Sequence, residues 1–142
     1  MQPVQDVNHL GIAVRSIDAH RQFYETCLGA VFESIEEVPD QKVRVAFLKV
    51  GGVHIELLEP TAEDSPISKF LEKKGEGLHH VAYTVTDLKA KLAELREAGV
   101  ALLDQTPRAG SRGMAIAFLH PKAGLGVLTE LCQPAGSHAA SA

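Results

Sequence analysis

Four residues of this chain could together hold and use a metal ion. Two are histidines, each opening a strand-like run: His9 in VNHLGIAV and His80 in GEGLHHVAYTV. Two are glutamates set inside apolar runs: Glu56 in HIELL and Glu130 in VLTEL. A buried carboxylate without a partner is costly, so two of them at matching places call for a shared one. A divalent cation is the simplest candidate. Two imidazoles and two carboxylates form a mixed nitrogen and oxygen set. That set suits Co²⁺, Mn²⁺, Ni²⁺, Zn²⁺ or Fe²⁺ better than a thiolate-selecting site would. Four ligands leave two positions of an octahedral ion open, where a substrate can chelate. Taken singly, a strand histidine is most often structural and a strand glutamate is most often solvated, as is expected of Glu36 and Glu59. The weight lies in the four residues standing in register.

That register comes from an internal repeat. HLGIAV from His9 lies over HVAYTV from His80. VRVAFLKVGGVHIELLEP (43–60) lies over MAIAFLHPKAGLGVLTELCQP (114–134), which sets Glu56 on Glu130 and Pro60 on Pro134. A helix is expected after each first strand. The first opens at Ser16 as N-cap and stops at Gly29. The second is capped by Thr86 or Asp87, shows Leu88, Leu92 and Leu95 on one face, and ends at Gly99. Strand side chains alternate between faces. His9, Gly11 and Ala13 therefore share one face, and His80, Ala82 and Thr84 share its counterpart, so that small residues surround each histidine as a cavity requires. Leu10, Ile12 and Val14, with Val81, Tyr83 and Val85, face the helices. His79 then points away from His80. His54 shares a face with Glu56 and could reach the cavity rim, though a half-exposed strand histidine is the plainer reading. The pattern predicts an α+β fold of two βαβββ modules in one domain spanning 1–142: module 1 at about 6–62, a linker helix at about 65–75 and module 2 at about 78–133. In the linker helix Ser65 is the N-cap, Pro66 the first helical residue and Ile67, Phe70 and Leu71 the apolar stripe, with Gly75 and Gly77 ending it. The small polar tail, 134–142, is expected to be disordered.

The bulk composition agrees with a soluble globular chain. It has 142 residues, 45% hydrophobic and 23% charged, with a net charge of −4. No basic footprint for nucleic acid is present. No apolar run approaches the ~18 residues that cross a bilayer, and no signal-peptide core follows Met1. The two cysteines, Cys27 and Cys132, do not make a disulfide scaffold. They fit a cytoplasmic protein with reduced thiols, Cys27 packed near a helix end. His20 is expected on a helix surface and His138 in the tail.

On the stretches SPISKFLEKKGEGLHHVAYTV, IAFLHPK and GVLTEL the chain resembles the vicinal-oxygen-chelate superfamily, and within it the methylmalonyl-CoA epimerases. The similarity runs from about residue 6 to 133. The metal motif is a property of the superfamily; the linker helix leading into GEGLHH is more specific to the epimerases. The resemblance implies two modules pairing into a cupped mixed sheet and one divalent ion, Co²⁺ foremost, on His9, Glu56, His80 and Glu130. It implies epimerisation of (2R)- and (2S)-methylmalonyl-CoA by a 1,1-proton transfer through a metal-stabilised enolate, with Glu130 as a catalytic acid/base. Some members carry Gln where Glu56 stands. Gln41 matches a Gln that lines the pocket, and a homodimer is the usual assembly.

Two positions depart from that family. Val45 stands where some members carry a second catalytic glutamate, which leaves water or a group such as His54 to relay the second proton. Arg112, in the Gly-rich RAGSRGM loop, replaces a usual His. With Arg108 it suits anions such as the CoA phosphates, and an exposed loop with incidental arginines is an equal alternative. Two other activities use this scaffold. A glyoxalase I-type lactoylglutathione lyase would share the whole ligand set. A metal-free protein that sequesters small molecules would need none of it, and the 5% aromatic content without Trp disfavours stacking on a drug.

Overall fold

The computed structural model describes Met1–Gly136; His138 and the tail from residue 137 lie outside the described residues. The chain divides into two compact units, His9–His79 and His80 onward, the latter joined by Met1–Asn8. The repeat is visible in the order of elements. The first half runs β1 (Asp6–Ala13), α1 (Ile17–Gln22), β2 (Val31–Val38), β3 (Val43–Val50) and β4 (Val53–Pro60). Helix α2 (Pro66–Lys74) follows. The second half runs β5 (Gly77–Thr84), α3 (Leu88–Glu97), β6 (Arg108–Ala109), β7 (Ala115–Phe118) and β8 (Thr129–Gln133).

Each unit builds the same ladder. In the first, the strands lie in the order β2-β3-β4-β1, with β1 parallel to β4 and the other pairs antiparallel. In the second, the order is β6-β7-β8-β5, with β5 parallel to β8. A parallel pair needs a long crossover, and in each half the helix and two intervening strands supply it.

The helices start where their caps dictate. The Ser16 hydroxyl accepts from the Ala19 N–H, Ser65 accepts from Ile67 and Asp87 accepts from Ala90. Gly75 and Gly99, at φ 77° and 79°, take the left-handed backbone that ends α2 and α3. One expectation fails. The predicted helix from Ser16 to Gly29 changes at Phe23 into a π-turn, Phe23–Cys27. The wider turn shifts the side-chain register. Tyr24 stays against the core while Cys27 is exposed rather than packed. Glu59 is not a solvated strand glutamate either. It is half-buried, its carboxylate accepting the Ile17 N–H at 2.8 Å and pairing with Arg44 at 3.1 Å, so β4 caps the start of α1.

In the first unit helices cover both faces of the ladder. Ile17 of α1 packs with Ala46, Leu48 and Leu57 on one face. On the other, Ile67 and Leu71 of α2 pack with Val43, Val45, Phe47 and Leu58. In the second unit, Leu88, Leu92 and Leu95 of α3 pack with Val85, Ala117 and Leu131. The opposite face gathers Ala82, Met114, Ile116 and Cys132. The N-terminal segment is tied to α3: the Gln2 N–H donates to Glu94 at 3.0 Å, and buried Lys91 donates to the Gln2 carbonyl.

Candidate metal centre

The two halves place their histidine and glutamate by one rule. On the parallel ladder of the first unit, Gly11 faces Glu56; on that of the second, Ala82 faces Glu130. Each is two residues past its histidine. On the antiparallel side, Phe47 faces Glu56 and Phe118 faces Glu130, so both phenylalanines of the repeated AFL sit beside a carboxylate. A parallel ladder staggers its partners, which brings each histidine ring to the glutamate of the neighbouring strand.

The resulting pairs are close and dry. His9 Nδ1 lies 3.0 Å from Glu56 Oε2, and His80 Nε2 lies 3.3 Å from Glu130 Oε1. Relative exposures are 1% and 5% for the first pair, 5% and 4% for the second. Ligand atoms bonded to one ion at about 2.1 Å sit roughly 3.0 Å apart on neighbouring octahedral positions and roughly 3.4 Å apart on tetrahedral ones. Both pairs therefore have the spacing of neighbouring ligands, and imidazole nitrogen with carboxylate oxygen is the donor chemistry a divalent first-row metal takes. Each pair, taken by itself, fits as two neighbouring ligands of such an ion.

Burial sets the protonation. Desolvation lowers His9 to about 4, and the nearby His54 pushes the same way. The ring is neutral at physiological pH, as a ligand must be. Desolvation raises Glu130 to about 8; Arg108 opposes that and Asp104 adds to it. Without an ion, that carboxyl keeps its proton at neutral pH.

The other candidates fall in varied places. Gln41, itself half-buried, ends the otherwise exposed 3₁₀ turn Pro39–Gln41 just before β3. Arg112 is exposed, at φ 55° in the turn Ser111–Gly113. Val45 is buried among Val43, Phe47, Leu58, Ile67 and Leu71 and can carry no proton. His54 faces His9 in the β1–β4 register and holds Glu33 at 2.8 Å. His79 turns away from its neighbour, its ring edge-to-face with Phe70 at 4.9 Å. His20 lies partly exposed on α1, as expected, and pairs with Glu76 at 3.3 Å.

Two neighbours of Glu130 escaped sequence reasoning. Cys132 is fully buried, its thiol donating to the Tyr83 carbonyl at 3.5 Å. Phe118 meets the His80 ring edge-on at 5.5 Å. Period-two alternation in TELCQ, which puts Cys132 on the face of Glu130, was the available signal for the first. The repeated AFL was the signal for the second.

Comparison with known proteins agrees with this frame. Residues 8–118 match the model of the Glyoxalase/Bleomycin resistance protein/Dioxygenase superfamily. An uncharacterized protein of Bacillus subtilis, YqjC, is 49% identical over 92% of this chain and 93% of its own. The ethylmalonyl-CoA/methylmalonyl-CoA epimerase of Cereibacter sphaeroides is 41% identical over 89% of this chain and 96% of its own. A variant of the Streptomyces coelicolor methylmalonyl-CoA epimerase, solved in complex with 2-nitronate-propionyl-CoA, superimposes with a TM-score of 0.90 at 42% identity, covering 96% of this chain and 99% of that one. The α+β architecture is thus that of the superfamily, and identity of this degree along nearly the whole of both chains narrows it further: this chain belongs to the methylmalonyl-CoA epimerases of the glyoxalase superfamily.

Proposed function

We propose that this chain inverts C2 of methylmalonyl-CoA, interconverting the (2R) and (2S) forms by a 1,1-proton transfer. The observation that carries the reading is the 41% identity to an epimerase of that specificity over nearly the whole of both chains. His9, Glu56, His80 and Glu130 are the residues that would hold a divalent ion, with Co²⁺ the first choice among Co²⁺, Mn²⁺, Ni²⁺, Zn²⁺ and Fe²⁺. The ion would supply a fixed positive charge to the carbonyl-type oxygens on which negative charge develops as C2 loses its proton.

The protein's own part is to move that proton. The C2 hydrogen lies between a thioester and a carboxylate and is acidified by both. Glu130 is the group assigned to take or return it on one face; burial raises its carboxyl to about 8 without an ion, and ligation would favour the ionised form that accepts a proton. Val45 is apolar and leaves the other face to water or to His54. Gln41 and Arg112 are read as substrate-binding groups. A homodimer working in the cytoplasm completes the proposal; among the described residues neither cysteine is in a disulfide, and no helix is long and apolar enough to cross a membrane.

The test is proton exchange at C2 of (2R)-methylmalonyl-CoA in D₂O, followed by NMR, with metal-stripped protein and protein reloaded with Co²⁺. Metal-dependent deuterium uptake with loss of configuration is the expected result. No exchange with any of the five ions would overturn the proposal.

A further inference from the structure

Arg108 is held in place without being used up. Its Nε donates to Asp104 Oδ1 at 3.2 Å, and Asp104 Oδ2 accepts the Phe118 backbone N–H at 2.8 Å. One carboxylate thus fixes the base of the guanidinium and the strand beside it. The guanidinium carbon stands 5.6 Å from the centroid of the Phe118 ring, within reach of a cation–π attraction. That same ring meets His80 edge-on, and the same residue faces Glu130 across β7 and β8. The chain Asp104, Arg108, Phe118 therefore ends against the His80–Glu130 pair. Among the described residues the two Nη groups have no hydrogen-bond or ion-pair partner, and 43% of the side chain is open to solvent. A fastening role would need only the contact that Nε already makes, and such an exposed pair is worth little. The rest of the planar fork has the geometry for two oxygens of an anion.

We propose that Arg108 binds an anionic oxygen group of the substrate through its Nη edge and positions the substrate against Glu130. The inference rests on the epimerase reading, whose substrate offers that chemistry twice: the carboxylate on C2 and the phosphates of the CoA moiety. Either is a planar or tripodal oxyanion that a guanidinium fork engages with two donors.

Metal-reloaded wild type, Arg108→Ala and Arg108→Lys would be compared in the exchange assay, each with a melting curve to confirm folding. The substrates are methylmalonyl-CoA and methylmalonyl-pantetheine, which keeps the carboxylate and thioester and lacks the nucleotide phosphates. Arg108→Ala is expected to raise KM for methylmalonyl-CoA by about ten- to a hundredfold, the loss expected for a hydrogen bond to a charged group, with a smaller change in kcat. Arg108→Lys is expected to recover part of it, since it keeps the charge and loses the fork. A penalty that persists with the pantetheine thioester assigns the carboxylate; one that vanishes there assigns the phosphates. Should Arg108→Ala not fold, Arg108→Gln carries the same comparison. Wild-type turnover with unchanged KM in the folded variants would overturn this inference alone. No turnover by the wild type with any of the five ions would overturn the parent reading and this inference with it.

Discussion

Glu56 and Glu130 occupy matching positions in the repeat, yet their proposed roles are unequal. Both are assigned to the metal, and only Glu130 is also assigned the proton. Glu130→Gln keeps the shape and one carbonyl ligand atom while removing the acid/base. C2 exchange should then fall by about 10²- to 10⁴-fold with metal still bound, which exchange kinetics and metal analysis on one sample would show. Glu56→Gln should bind metal and retain most of the exchange, because an amide oxygen can replace a carboxylate that moves no proton; a loss as deep as that of Glu130→Gln would contradict the division of labour. The matching placement of the two His–Glu pairs was legible because the repeat aligns it twice, and the ladders place Gly11 on Glu56 and Ala82 on Glu130 accordingly. Cys27 was misplaced for a local reason: a π-turn cannot be read from a pattern that assumes 3.6 residues per turn. Glu59 was misread because the N–H it caps belongs to Ile17, a contact 42 residues distant in sequence.

At the level of elements, each helix exists to bury one stripe and is delimited by its own caps. The stripe matters more than the cap. Leu92 lies fully buried in the cluster that joins α3 to β7 and β8, and β8 carries Glu130. Leu92→Ala should destabilise by about 2–5 kcal/mol. Ser65→Ala removes the hydroxyl that accepts the Ile67 N–H at 3.2 Å in α2 and should cost about 1 kcal/mol. Denaturant titrations of the two variants would rank them, and a Ser65 loss equal to the Leu92 loss would mean that α2 depends on its cap rather than on Ile67 and Leu71. Helices α2 and α3 were predicted nearly to the residue, since Ser-Pro, Asp and the terminal glycines are local signals. Strand β6, only Arg108–Ala109, was not, since its two residues are defined by their antiparallel partners, Ile116 and Ala115, and have no periodicity of their own.

For the molecule as a whole, the site makes stability fall with pH near neutrality, and bound metal should remove that fall. Without a bound cation, Glu130 titrates near 8 when folded against 4.5 when exposed. The folded state therefore holds the extra proton between those values, and stability falls as pH rises through the window. His9 and His79 act oppositely. Burial lowers both to about 4 from 6.5, so the unfolded state holds their protons between 4 and 6.5, and stability rises with pH there. The three contributions leave a net rise up to about pH 6.5 and then a fall driven by Glu130 alone, on the order of 2 kcal/mol by pH 8. The melting temperature of metal-stripped protein should accordingly peak near pH 6.5 and drop by roughly 4–8 °C at pH 8. Glu130→Gln should remove that drop while leaving the acid limb intact, because Gln does not titrate and the histidines are untouched. Saturating Co²⁺ should abolish the drop in the wild type as well, since a ligating carboxylate is already ionised and gains nothing by keeping its proton. A metal-stripped wild type whose melting temperature is flat from pH 6.5 to 8 would show that Glu130 does not hold a proton in the metal-free folded state.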